Sequence, residues 1–199
     1  DPRLIRQFEA KTASFHPFAP EPARRSNHRT QLTKTDADFD GMHPLQGVNP
    51  ASGIVLYYNL PKFTEEEHVK LEILDADGNL VNAFTSKKDE SFEKYAGGPP
   101  APSVLPKKEG LNRFVWNMRY PTMPGIPKAY IEASYRGHKA IPGDYTVRLA
   151  LTGDEDSTQE ADVAATIAAN PLYSTTQDDY EQFHQFMTEM EQSLTNMHA

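Results

Sequence analysis

Asp36, Asp38, Asp40 and Gly41 repeat the first half of a calcium-binding loop, in which alternate carboxylates on a tight turn surround a hard cation with oxygen. The second half is missing. Position twelve counted from Asp36 is Gly47, where such a loop needs a bidentate carboxylate, so a solvated linker turn is the reading. Asp75 and Asp77 form a shorter string of the same kind, and a hairpin turn through Gly78 and Asn79 accounts for them. Glu65, Glu66 and Glu67 set three carboxylates side by side. Neighbours in sequence cannot flank one scissile bond as paired glycosidase carboxylates do, and a surface loop after Pro61 explains the run. The histidines, at His16, His28, His43, His68, His138, His184 and His198, include no H-E-x-x-H and no close pair on one helical face, which argues against zinc. There is no G-x-S-x-G, no P-loop and no G-x-G-x-x-G. The expectation is no catalytic, cofactor or metal site within this chain.

Trp116 is the remaining residue with a chemistry of its own, because an exposed indole stacks on sugar rings. Its neighbours decide against that use. Phe114, Trp116 and Met118 alternate with Arg113, Asn117 and Arg119, the period-2 pattern of a half-buried strand, and this places the indole on the inner face. Tyr57, Tyr58, Tyr95, Tyr130 and Tyr135 are better candidates for an exposed aromatic surface, although nothing in the sequence groups them in space.

The elements that carry these residues are mostly strands. Ile54 to Leu60, His68 to Leu74 and Leu80 to Thr85 read as three, the last two joined through the turn from Asp75 to Asn79, where Gly78 supplies a positive φ. A connection of about twenty-five residues, rich in Pro and Gly from Gly97 to Pro102, precedes the strand of Trp116. A second long connection, Pro121 to Pro142, carries Tyr130, Ile131 and Tyr135 and has room for a short edge strand. Tyr145 to Thr152 then pairs with Glu160 to Ala168 across the acidic tip Gly153, Asp154, Glu155 and Asp156. Six strands, or seven with the edge strand, and no intervening helices predict a mainly β fold: an antiparallel immunoglobulin-like β-sandwich, with a jelly roll as the architectural rival. Tyr180, Phe183, Phe186, Met187, Met190, Leu194 and Met197 step by threes and fours, which predicts a C-terminal amphipathic helix capped by Ser174, Thr175 or Thr176. Its aromatic and methionine stripe must bury itself on the sandwich or on another domain. The resulting layout is an extended arm over residues 1–50, with one short helix between Arg3 and Ala13, then a sandwich over 51–169 and the helix within 170–199.

Composition narrows the class further. The chain has 38% hydrophobic residues, no cysteine and a net charge of -8, with a mean hydropathy of -0.66. Disulfides and thiolate chemistry are excluded, and an acidic chain with no basic stripe is poorly suited to nucleic acid. No apolar run is long enough to span a membrane and no signal peptide is visible. The opening residue Asp1 predicts a processed or excised fragment. Residues 1–35 hold seven Lys/Arg against three Asp/Glu, whereas residues 149–199 hold ten Asp/Glu and no Lys or Arg. Either the basic arm lies against the acidic end, or both are solvated faces.

Several strings taken in order resemble a known module. FHPFAPEPARR from Phe15, GVNPASGIVLYYNLP, LEILDADGNLV, GLNRFVWNMRYP, PGDYTVRL and NPLYSTTQDDYEQF are similar to the immunoglobulin-like module that follows the β-propeller in bacterial BNR-repeat, sortilin-like proteins labelled as glycosyl hydrolases. The core strands also resemble the immunoglobulin-like repeat of the flagellar hook-cap protein. None of the shared strings is catalytic. The resemblance implies a non-catalytic module of a secreted or cell-surface protein, extracellular or periplasmic, whose partners are the propeller of the same parent and another protein or a glycan. The alternative it leaves open is a carbohydrate-binding or active-site-supporting accessory domain of a glycoside hydrolase.

Overall fold

The computed structural model describes Ile5, Gln7 and residues 14–25, 51–130, 134–153 and 158–198. It is a mainly β protein, a β-sandwich of a three-stranded and a five-stranded sheet followed by a C-terminal helix. The strands are β1 (His16–Pro17), β2 (Ala23–Arg24), β3 (Ile54–Leu60), β4 (His68–Leu74), β5 (Leu80–Thr85), β6 (Gly110–Trp116), β7 (Gly143–Thr152) and β8 (Thr158–Ala168), followed by helix α1 (Gln177–His198). One sheet runs β1-β3-β6 and the other β2-β8-β7-β4-β5. Neighbours pair antiparallel except β2 and β8, which run parallel through Ala23 opposite Ile167 and Arg24 opposite Ala168.

Alternation builds the interior. Ile54, Leu56, Tyr58 and Leu60 of β3 face Val69, Leu71 and Ile73 of β4 and Tyr145, Val147, Leu149 and Leu151 of β7, all buried in one cluster. Trp116 is 0% exposed at its centre. Its ring meets Tyr145 edge-on at 5.7 Å, and its Nε1–H donates to the Arg119 carbonyl at 3.1 Å, so the indole is buried with its one polar group satisfied. The hydroxyl of Tyr58 donates to the Pro106 carbonyl, and burial pushes both Tyr58 and Tyr145 well above the usual tyrosine range.

The long strands begin and end close to where alternation places them, but three features differ from expectation. First, residues 14–25 of the arm are stitched into both sheets. β1 lies opposite Tyr58 and Asn59, the Asn59 side chain donates to the Ser14 carbonyl at 2.9 Å, and β2 extends the other sheet. Pro17 lies within β1 and Pro22 directly before β2, and neither has an N–H to give to a ladder. Of the helix expected nearby, Ile5 and Gln7 are helical, and the Gln7 side chain closes on Ala19 through two hydrogen bonds. Second, the connection from 117 to 142 forms no strand among its described residues. Arg119 and Lys139 make an isolated bridge instead. Met118, buried at the exit of β6, has φ 57, and its carbonyl accepts from Ala140 at 2.8 Å, closing the base of the connection. Third, the two long Pro/Gly loops are tied together, since the Tyr95 hydroxyl donates to the Ile126 carbonyl at 2.7 Å.

α1 begins at a reciprocal cap. Thr176 Oγ1 accepts from the Asp179 amide at 3.2 Å while Asp179 Oδ2 accepts from the Thr176 amide at 2.8 Å. The Thr176 hydroxyl also donates to Asp179 Oδ2 at 2.7 Å, and this bond, followed by that from the Thr176 amide, holds the Asp179 carboxyl below the usual range. The helix then crosses the base of the 117–142 connection, and that crossing is where charged and aromatic side chains converge.

Candidate functional site

The residues singled out by type have ordinary structural duties where they are described. Asp36, Asp38 and Asp40 lie outside the described residues. Asp75 closes the β4–β5 turn: its Oδ1 accepts from the amides of Asp77 and Asn79 at 3.0 and 2.8 Å, and its Oδ2 from the Asn79 side chain at 3.1 Å. Gly78 takes φ 84 there, as the turn requires. In the glutamate run, Glu67 accepts from the Thr64 amide, and Lys107 reaches over to donate to the carbonyls of Glu65 and Glu67 at 3.0 and 2.7 Å. Among the described residues no group of three or more His, Asp or Glu is placed to hold a metal ion, and no helix is long and apolar enough to cross a membrane.

The convergent site is the seam between α1 and the sandwich. His138 stands on the connection after β6, where its carbonyl accepts from the Tyr120 amide at 3.0 Å and the Arg119 guanidinium donates to the neighbouring Gly137 carbonyl at 2.7 Å. Gly137 is needed for this approach, because a Cβ there would sit 2.5 Å from the carbonyl oxygens of Tyr120 and Pro121. Glu191 of α1 grips His138 twice, accepting from its backbone N–H at 2.7 Å and lying 2.9 Å from Nδ1. On the other side of the ring, Nε2 lies 2.8 Å from Nδ1 of His184, one heptad before Glu191 on α1. Tyr120 stacks on both imidazoles, at 4.3 Å over His138 and 5.1 Å over His184.

Cations complete the seam. The Arg25 guanidinium sits 4.9 Å from the Tyr180 ring and 5.7 Å from that of Phe183 and donates to the Ala140 carbonyl at 3.1 Å. Arg25 thus meets α1 through two aromatic rings. Burial, then His138, pulls His184 below the usual histidine range, opposed by Asp75 and Glu191. Tyr120 is pushed up to about 12, chiefly by burial and then by Asp75 and Glu191. Arg119 and Lys139 are both lowered, first by burial and then by neighbouring cations. The arrangement locks a helix onto a sandwich.

This constellation escaped the sequence reading because His138 lies 46 residues from His184 and 53 from Glu191. One signal was available: His184 and Glu191, seven apart, share the stripe of Tyr180, Met187 and Leu194, which points to a polar pair on a packed face. The apolar stripe itself divides in two. Tyr180 is buried, and Met187 and Leu194 are half-buried beside His184 and Glu191. Phe183, Phe186, Met190 and Met197 are 42%, 61%, 40% and 69% exposed along the adjacent side of the helix.

No family model matches this chain, and no curated protein does. Among solved structures it is similar to CopC from Methylosinus trichosporium OB3b at 13% identity, over 62% of this chain and 84% of that one, with a TM-score of 0.29. A likeness that distant transfers neither fold nor function.

Proposed function

We propose that this chain is a non-catalytic β-sandwich module of a secreted or cell-surface β-propeller protein, serving as a structural cap or protein-interaction domain through the outer side of α1. One observation supports the reading most: Phe183, Phe186, Met190 and Met197 stand exposed in a row on a helix whose other apolar side is already in use. Aromatic and methionine side chains on a helix face adapt to apolar grooves, and exposing several together carries a solubility cost that a partner would remove. The buried, hydrogen-bonded indole of Trp116 disfavours the carbohydrate-stacking role. Parentage rests on the resemblance of the strand strings alone.

Calorimetry of this chain with a propeller encoded in the same reading frame tests the reading. Binding is expected, weakened about tenfold or more by Phe186→Asp, as for a central apolar contact. Equal binding by Phe186→Asp removes α1 from the interface. A reading frame without propeller repeats rejects the parentage, and reproducible micromolar binding on a glycan array transfers the assignment to a carbohydrate accessory role.

A further inference from the structure

We infer that Glu191, His138 and His184 form a proton-operated latch that keeps α1 docked on the sandwich at neutral pH and releases it on mild acidification. An ionised carboxylate only accepts, so Nδ1 of His138, facing Glu191 at 2.9 Å, carries a hydrogen. Nε2 of the same ring faces Nδ1 of His184 at 2.8 Å, a separation that holds one shared hydrogen and not two. The pair therefore keeps its geometry with at most one positive charge, which Glu191 balances. A second proton sets two N–H groups against each other inside a seam stacked under Tyr120, and the ring-to-ring bond must open.

The groups facing the pair set the sense of the response. Glu191 on α1 and Asp75 at the β4–β5 turn favour protonation, while Arg25, Arg119, Arg136 and Lys139 crowd the same region with positive charge. Burial, followed by His138, outweighs the two carboxylates and holds His184 below its ordinary value of 6.5. A histidine lowered in the docked form binds fewer protons docked than released, so docking is fully supported above the released value and weakens as pH falls through about 6.5. The loss continues until the lowered docked value is passed. Apart from the latch, α1 is held by buried Tyr180 under Arg25 and by half-buried Met187 and Leu194, and a released helix loses the tertiary packing from which most helical stability comes. The latch needs no partner and stands whether or not the outer stripe binds one.

Residue-resolved hydrogen exchange of the intact chain, corrected for intrinsic rates, tests this at pH 7.5 and 5.5. Linkage to one proton allows up to about tenfold per pH unit, so amides from Tyr180 to Leu194 are expected to lose about tenfold of their protection while β4 and β7 keep theirs. Unchanged protection in α1, or equal loss across β4 and β7, overturns the latch. Nitrogen-15 titration of the imidazoles should show the pair taking up its second proton with the midpoint at which α1 opens, and separate midpoints would also refute it. His184→Gln retains a donor toward His138 and cannot titrate, so the pH step should shrink severalfold; a full step in that variant overturns the assignment. If His184→Gln does not dock, the titration midpoints of the unaltered chain decide the matter.

Discussion

Around Trp116 the sandwich excludes water with apolar side chains from both sheets, and the single polar group of the indole is met by a carbonyl three residues away. Under α1 the same exclusion is achieved by stacked Tyr120, His138 and His184, with one carboxylate and several cations at the edges. The first region is held by area and the second by direction. Area-based packing tolerates pH and salt but not loss of volume, whereas a few directional bonds between titratable groups fail one at a time as charge states change. A molecule built from both can keep its scaffold while its helix responds.

The sharpest way to break the distinction is to remove the indole. Trp116→Ala should cost about 3 to 5 kcal/mol in chemical unfolding and drag α1 down with the sheets. A stable variant with unchanged unfolding would show that the interior does not depend on area as argued. Glu191→Gln should cost about 1 to 3 kcal/mol, confined to the seam, because the amide cannot accept from both the His138 amide and Nδ1 as the carboxylate does. Limited proteolysis would detect early cleavage in α1 with the sandwich intact, while an equal fall in sheet stability would mean that the two regions open together. Phe186→Asp should be the mildest, leaving the thermal midpoints of both regions within error, since its ring is 61% exposed. Marked destabilisation there would show that the outer stripe packs within the chain.

The two regions were not equally legible. β4 falls where strict alternation sets it, because one buried face forces a period of two and a single-residue slip would reverse every side chain, while β3 and β5 fall where short apolar runs bounded by turn residues set them. α1 follows from its stripe and from the Thr176–Asp179 cap. The seam depends on a histidine in a loop finding two residues of a later helix, and no local pattern encodes a contact across such a separation. The arm was hidden for a different reason: strands of two residues in a proline-rich stretch leave no periodic trace, yet they join both sheets. Splitting the helical stripe into packed and exposed halves needed the direction from which the sandwich approaches, which spacing alone does not contain.

Unfolding followed by two probes at once bears most directly on the separation of scaffold and helix. The chain has one tryptophan, so its fluorescence reports the interior, and a fluorophore placed at Met197 on the exposed side of α1 reports the seam. The seam is expected to open at distinctly lower denaturant, and lower still at pH 5.5 than at 7.5, before the tryptophan signal moves. Coincident transitions at both pH values would contradict the account.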